Sequence, residues 1–103
     1  MISRKLGSDI YLYFLVEVII PKVGRRPAAI QSAAVEIYKS DKVVTNLYAT
    51  IRGNKISVTV PLDAIKSTGD YIAVFTYELV DMGTQTHAIP FRITKSVLGK
   101  QRQ

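Results

Sequence analysis

Residues 55–80, KISVTVPLDAIKSTGDYIAVFTYELV, leave this chain few ways to fold, because two runs within it alternate apolar and polar side chains with a period of two. Ile56, Val58 and Val60 alternate with Lys55, Ser57 and Thr59, the pattern of a strand with one face in a core. Pro61 has no N–H to give to a ladder and ends that run. Leu62 and Ile65, three apart with Asp63 near the start, predict a single helical turn over 62–67. Beyond Gly69, the side chains of Tyr71, Ala73, Phe75, Tyr77 and Leu79 share one face of a long strand, and Ile72, Val74, Thr76, Glu78 and Val80 share the other. A strand that is apolar on both sides near its start belongs in the middle of its sheet.

The flanking sequence repeats the theme. Residues 10–20 predict a first long strand, kinked so that it can pair with both sheets, with Tyr11, Tyr13 and Leu15 opposite the set Ile10, Leu12, Phe14 and Val16. Residues 21–27 (PKVGRRP) read as a loop, with Gly24 free to take positive φ and Arg25 and Arg26 at its tip. A second strand follows from Ala33, with Val35 and Ile37 on its apolar side, and the polar residues 39–42 form a turn. Residues 43–52 predict a third strand, in which Asn46 marks a bulge or an edge. Gly53-Asn54 is a two-residue hairpin signal. Residues 81–83 turn the chain again, and 84–94 form a last strand with His87, Ile89, Phe91 and Ile93 inward and Pro90 at an edge or bulge. Short turns and no long helix give an all-β sandwich of about seven antiparallel strands, a single domain over 1–103 with short basic termini.

At 103 residues the chain can bury about two thirds of its unfolded surface in one core. It has no cysteine, which removes disulfides and thiolate chemistry. His87 is the sole histidine and is expected at the core rim, while the aspartates fall at strand ends and turns, where Asp stabilises the backbone. The sequence contains no nucleophile elbow, phosphate loop or dinucleotide fingerprint. The expectation is a protein that is not an enzyme and takes no metal, cofactor or small-molecule substrate. The first seven residues are too weakly apolar for a signal peptide, and the run 10–20 is shorter than the roughly 20 residues of a spanning helix, so no membrane partner is expected. The net charge is +6. Its cations gather at the ends and in one loop, and the dense aromatic run from Tyr11 to Phe14 lies inside a strand. That distribution predicts against nucleic acid as a partner.

Gly69-Asp70-Tyr71 resembles the tyrosine corner of immunoglobulin-like sandwiches, in which an early Tyr of strand F bonds back to the preceding turn. The alternative is a core aromatic at a strand start. Ala73 stands where antibody domains carry their second disulfide cysteine.

Further pieces are Gly7-Ser8-Asp9 ahead of an I-Y-L-Y-F-L-V strand, Gly24 and Pro27, Ala33-Ala34-Val35-Glu36-Ile37, Gly53-Asn54-Lys55-Ile56, Val60-Pro61-Leu62 and Pro90-Phe91-Arg92-Ile93. On these the chain resembles the small immunoglobulin-like structural proteins of tailed-phage virions, both the head-decorating auxiliary proteins and the N-terminal domain of baseplate upper proteins. It departs from the baseplate pattern at Ala29-Ile30-Gln31-Ser32, where an Asp-Leu-Ser/Thr run is usual.

The resemblance implies a non-catalytic virion protein, assembled in the host cytoplasm in many copies or within a larger complex. A head-decorating or connector role on the major capsid protein is expected, because the sequence ends at Gln103 where a fibre or baseplate adaptor would continue into a trimerising region. The alternatives are such an adaptor, or a surface adhesion module that binds a host ligand through its loops. The expected partner contacts are Arg4, Lys5, Arg25, Arg26, Lys100 and Arg102. A competing mechanism is main-chain pairing at an edge strand.

Overall fold

The computed structural model describes residues 2–7, 9–20, 22, 24–61, 63–80 and 82–95. Among them there is no helix. The strands are β1 (Ile2–Lys5), β2 (Ile10–Leu15), β3 (Glu17–Ile20), β4 (Gly24–Pro27), β5 (Ile30–Lys39), β6 (Lys42–Tyr48), β7 (Thr50–Arg52), β8 (Lys55–Val60), β9 (Gly69–Leu79) and β10 (Gly83–Thr94). They build a five-stranded sheet in the order β1-β10-β9-β5-β6, a three-stranded sheet β2-β8-β7 and a two-stranded ribbon β3-β4. The two larger sheets share one core in a sandwich-like arrangement. Ile10, Leu12, Ile56, Val58 and Val60 enter it from one side, and Val35, Ile37, Phe75, Phe91 and Ile93 from the other. Phe14 meets Phe75 edge-on across the layers, with ring centroids 5.0 Å apart.

The alternation that defines residues 55–80 is realised in three dimensions. Ile56, Val58 and Val60 are buried, as are Tyr71, Ala73, Phe75 and Leu79, and β9 is paired on both sides by β10 and β5. Each fully buried aliphatic or Phe side chain contributes about 1.5–3 kcal/mol. Because β8 and β9 belong to different sheets, the connector must cross the sandwich. The predicted helical turn is replaced by a tight turn at 63–64, closed by the Ala64 N–H on the Pro61 carbonyl at 3.0 Å, and an irregular path in which Ile65 plugs the core. The Ala64 bond reaches back three residues where an α-helix reaches back four, and residues 65–66 have already left the turn. Leu62 lies outside the described residues.

Ten strands stand among the described residues instead of about seven, for two reasons. Two long runs change partners midway. The first breaks at Val16, so that β2 pairs with β8 while β3 pairs with β4. Val16 is held there by its N–H on Asn54 O (2.8 Å) and by its carbonyl, which accepts from Ala28 N–H (3.1 Å) and Asn54 Nδ2 (3.1 Å). The second breaks at Ala49, where the chain leaves β5 for β8. The bulge lies opposite the Ile37/Tyr38 step and skips Val44, whereas Asn46 pairs regularly with Glu36 on what is an edge strand.

The other reason is that two segments read as irregular are strands. Within the expected loop 21–27, Gly24–Pro27 returns along β3, with Lys22 (φ 70°) and Gly24 (φ 101°) supplying left-handed backbone at the reversal; Pro21 and Val23 lie outside the described residues. The expected basic tail forms β1, which pairs in parallel with β10 from Ile2↔Phe91 to Lys5↔Thr94. Pro90 stands opposite Ile72 in the β9–β10 ladder, one residue before the β1 pairing begins; proline is tolerated in a sheet where its missing N–H faces away from a partner strand.

The head of β9 is fastened by a polar latch. Tyr71 Oη donates to the Ser67 carbonyl at 2.7 Å and sits 2.9 Å from Ser67 Oγ, which is the back-bond expected of a tyrosine corner. Lys39 reaches over from the end of β5, donating to Ser67 Oγ (2.8 Å) and Thr68 O (2.9 Å) with its ammonium 5.3 Å from the Tyr71 ring. Gly69 has φ +135°, and a Cβ placed there would lie 3.2 Å from Lys39 Cε. The latch therefore demands glycine at that position.

Candidate functional site

The outer face of the three-stranded sheet is chemically distinctive. Alternation in β2 turns Ile10 and Leu12 inward, so Tyr11, Tyr13 and Leu15 face out, at 46%, 55% and 60% exposure. The register sets Tyr13 opposite Ser57 and Leu15 opposite Lys55, and on the far side Arg52 opposite Lys55. Directly paired residues share a face, so two phenols, an ammonium and a guanidinium stand together. The rings are 5.7 Å apart and tilted by 32°. Lys55 Nζ lies 5.4 Å from the Tyr11 centroid and 4.8 Å from that of Tyr13, close enough for cation–π attraction to both. Hydrogen bonds from Lys55 and Ser57, with the nearby charges of Lys55 and Arg52, hold the Tyr11 phenol below its ordinary pKa. The three strands carry no carboxylate and no side-chain amide.

The outer face of the five-stranded sheet is built differently. Glu36 accepts from Tyr38 Oη at 3.1 Å, which raises the Tyr38 pKa. Asp70 pairs with Arg92 across β9 and β10 at 2.7 Å, which lowers the Asp70 pKa and raises that of Arg92. Beside Glu36, on the side away from Asp70, lies a shallow hollow of about 380 Å³ lined by Ala34, Glu36, Asn46, Tyr48 and Thr76, where Tyr48 is 94% exposed.

Of the six cations expected to contact a partner, the four that are described fall into two separate pairs. Arg4 and Lys5 lie on β1 beside the end of β10. Arg25 and Arg26 lie on β4 and not at a loop tip, and Arg26 lines a second hollow with Val80 and Met82, next to the start of β10. The two pairs thus stand toward opposite ends of a twelve-residue strand roughly 35 Å long. Arg25 Nη1 is 3.4 Å from Glu17 Oε1 in an exposed pair, a geometry that contributes little. Lys100 and Arg102 lie outside the described residues. His87 stacks on Phe14 with centroids 4.2 Å apart and is exposed at the sandwich rim. Among the described residues no cluster of three or more metal-ligating side chains forms, and no helix is long and apolar enough to cross a membrane.

The sequence reading passed over Tyr11, Tyr13, Arg52 and Lys55 as a site. The outward turn of the two tyrosines was legible from alternation. Their meeting with Lys55 depends on the β2–β8 register, and that is a long-range property. Set against family models, curated proteins and solved structures, the chain matches none of them.

Proposed function

We propose that this chain is an immunoglobulin-like β-sandwich that serves, without catalysis, as a structural protein of a tailed-phage particle, attached to capsid subunits as a head-decorating or connector protein. The observation that carries the fold half of this reading is the strand order. The run β10-β9-β5 with β6 at the edge corresponds to strands G, F and C with an added C′, and β2-β8-β7 corresponds to B, E and D. In that correspondence Tyr71 falls near the start of strand F, where its bond to Ser67 supports the assignment. The virion half rests on the motif resemblance, from Gly7-Ser8-Asp9 to Pro90-Phe91-Arg92-Ile93. Purified particles separated into head and tail fractions, with their proteins identified by mass spectrometry, test it: the chain is expected with capsids, and its absence from intact particles overturns the reading.

The second reading is an adhesion module that binds a host ligand. It is favoured by the β3–β4 ribbon, which stands between strands B and C and carries Arg25 and Arg26. Binding of the isolated protein to a glycan array, lost in an Arg25→Ala/Arg26→Ala variant, would favour it over the capsid role.

A further inference from the structure

We propose that the outer face of the three-stranded sheet is a binding site for single-stranded nucleic acid, with bases stacking on Tyr11 and Tyr13 and phosphates held by Lys55 and Arg52. The inference is independent of the virion assignment. It runs against the sequence expectation, in which the aromatic run lies inside a strand. In the fold that strand is an edge of its sheet, and two of its three aromatic rings point to solvent.

Sequence-tolerant recognition of single strands combines aromatic platforms with cations that follow the backbone. Both are present within one patch. Tyr11 and Tyr13 are two residues apart on one strand, so their rings form successive steps 5.7 Å apart. Lys55 is fixed beside both rings, and Arg52 is its direct cross-strand neighbour. The patch also discriminates between anionic ligands. A polysaccharide presents hydroxyl pairs, which are best read by carboxylates, which accept, and carboxamides, which both donate and accept. β2, β7 and β8 offer neither, and the amide of Asn54, next in sequence to Lys55, donates to the Val16 carbonyl. Rings plus cations, on three strands that carry no acid, match phosphates joined to flat bases.

Two cations imply modest electrostatics. Neutralising two phosphates of a single strand gives a slope of log affinity against log salt of about −1.4. Loss of one stacking ring weakens such binding about 5- to 100-fold.

The test is fluorescence anisotropy of a labelled oligothymidylate with the full chain across a salt series. The expected result is saturable binding with that shallow slope, weakened about 5- to 100-fold by Tyr13→Ala and preserved in Tyr13→Phe, which keeps the ring and controls for folding. Lys55→Gln should flatten the slope by about 0.7. Three results would overturn the proposal. One is no saturable binding at low salt. Another is steep, salt-sensitive binding indifferent to both Tyr13 variants, which would place the contact on the scattered cations. The third is equally tight, equally Tyr13-dependent binding of an acidic polysaccharide, which would make this a site for a different polymer.

Discussion

The two outer faces of the sandwich are made by the same alternation and end with opposite chemistry. On the three-stranded side, Tyr11 and Tyr13 are drawn toward Lys55 and Arg52 with no acid among them. On the five-stranded side, Glu36 and Glu78 face outward, and the Asp70 carboxylate is matched by Arg92. A tyrosine reports on each: the Tyr11 phenol is pulled below its ordinary pKa by its cationic neighbours, and Tyr38 is pushed above it by Glu36. A net charge of +6 says nothing of this division. What the charge can do is set by which strands lie side by side.

The largest expected effect comes from removing what both faces rest upon. Phe75→Ala takes away a fully buried ring that meets Phe14 across the layers, and should lower stability by about 3–5 kcal/mol in urea denaturation. A destabilisation below about 1 kcal/mol would mean that the two sheets are not held by a shared core.

Next comes Tyr71→Phe, which keeps the stacking on Phe91 and deletes the hydroxyl that bonds to Ser67. The expected loss is about 1 kcal/mol, with both outer faces unaltered. Gly69→Ala should cost more than that hydroxyl, since it strains a backbone at φ +135° and crowds Lys39.

Alkaline titration sharpens the contrast between the faces directly. Tyr11→Phe should remove a phenol that titrates below the ordinary range in ultraviolet absorbance, and Tyr38→Phe one that titrates above it. The linkage signs are opposite. Tyr11, with its folded pKa depressed, adds stability that is full above its unfolded pKa of about 10 and fades as pH falls through the folded value. Tyr38, with its folded pKa raised, adds stability that is full below about 10 and is lost as pH rises through the folded value. Lys55→Gln should return Tyr11 toward normal and leave Tyr38 alone; a shift of both would contradict two separate faces.

The smallest effect belongs to Asp70→Asn. Its pair with Arg92 is solvated on both sides, so the denaturation midpoint near neutral pH should barely move. Because the folded pKa of Asp70 is depressed, whatever the pair contributes is present above the unfolded value of about 3.9 and disappears as pH falls through the folded one. A comparison of variant and parent at neutral and acid pH checks this.

What the sequence disclosed follows from where side chains alone carry the information. Period-two alternation placed β8 and β9 and their inward residues, Gly53-Asn54 placed the β7–β8 hairpin, and Gly69-Asp70-Tyr71 pointed to the bond that Tyr71 makes. The misses share a cause. Ile2–Lys5 and Gly24–Pro27 are strands because a neighbouring backbone offers them a ladder, and their own residues, ISRK and GRRP, bear no mark of it. The breaks at Val16 and Ala49 leave the alternation nearly undisturbed, so nothing local shows that the partner changes there. Leu62 and Ile65 are spaced as on a helical turn, yet the same spacing serves a crossing between layers. The candidate site was half legible: Tyr11 and Tyr13 could be turned outward from sequence, but the cation beside them required the register of a strand distant in the chain.

The uncovered edge of β2 has a colloidal consequence. Its six residues, IYLYFL, carry no charge and no proline, and among the described residues no strand pairs with its outer side. Such an edge can template a second copy of itself, and neither a lysine within the strand nor a bulge blunts it. Mutual repulsion between molecules of charge +6 is then what keeps these edges apart in solution. Salt shortens the reach of that repulsion from about 10 Å at 0.1 M to about 3 Å at 1 M. The protein should therefore be most soluble in dilute buffer and should aggregate as ionic strength rises, so that concentrated salt acts on it as a precipitant.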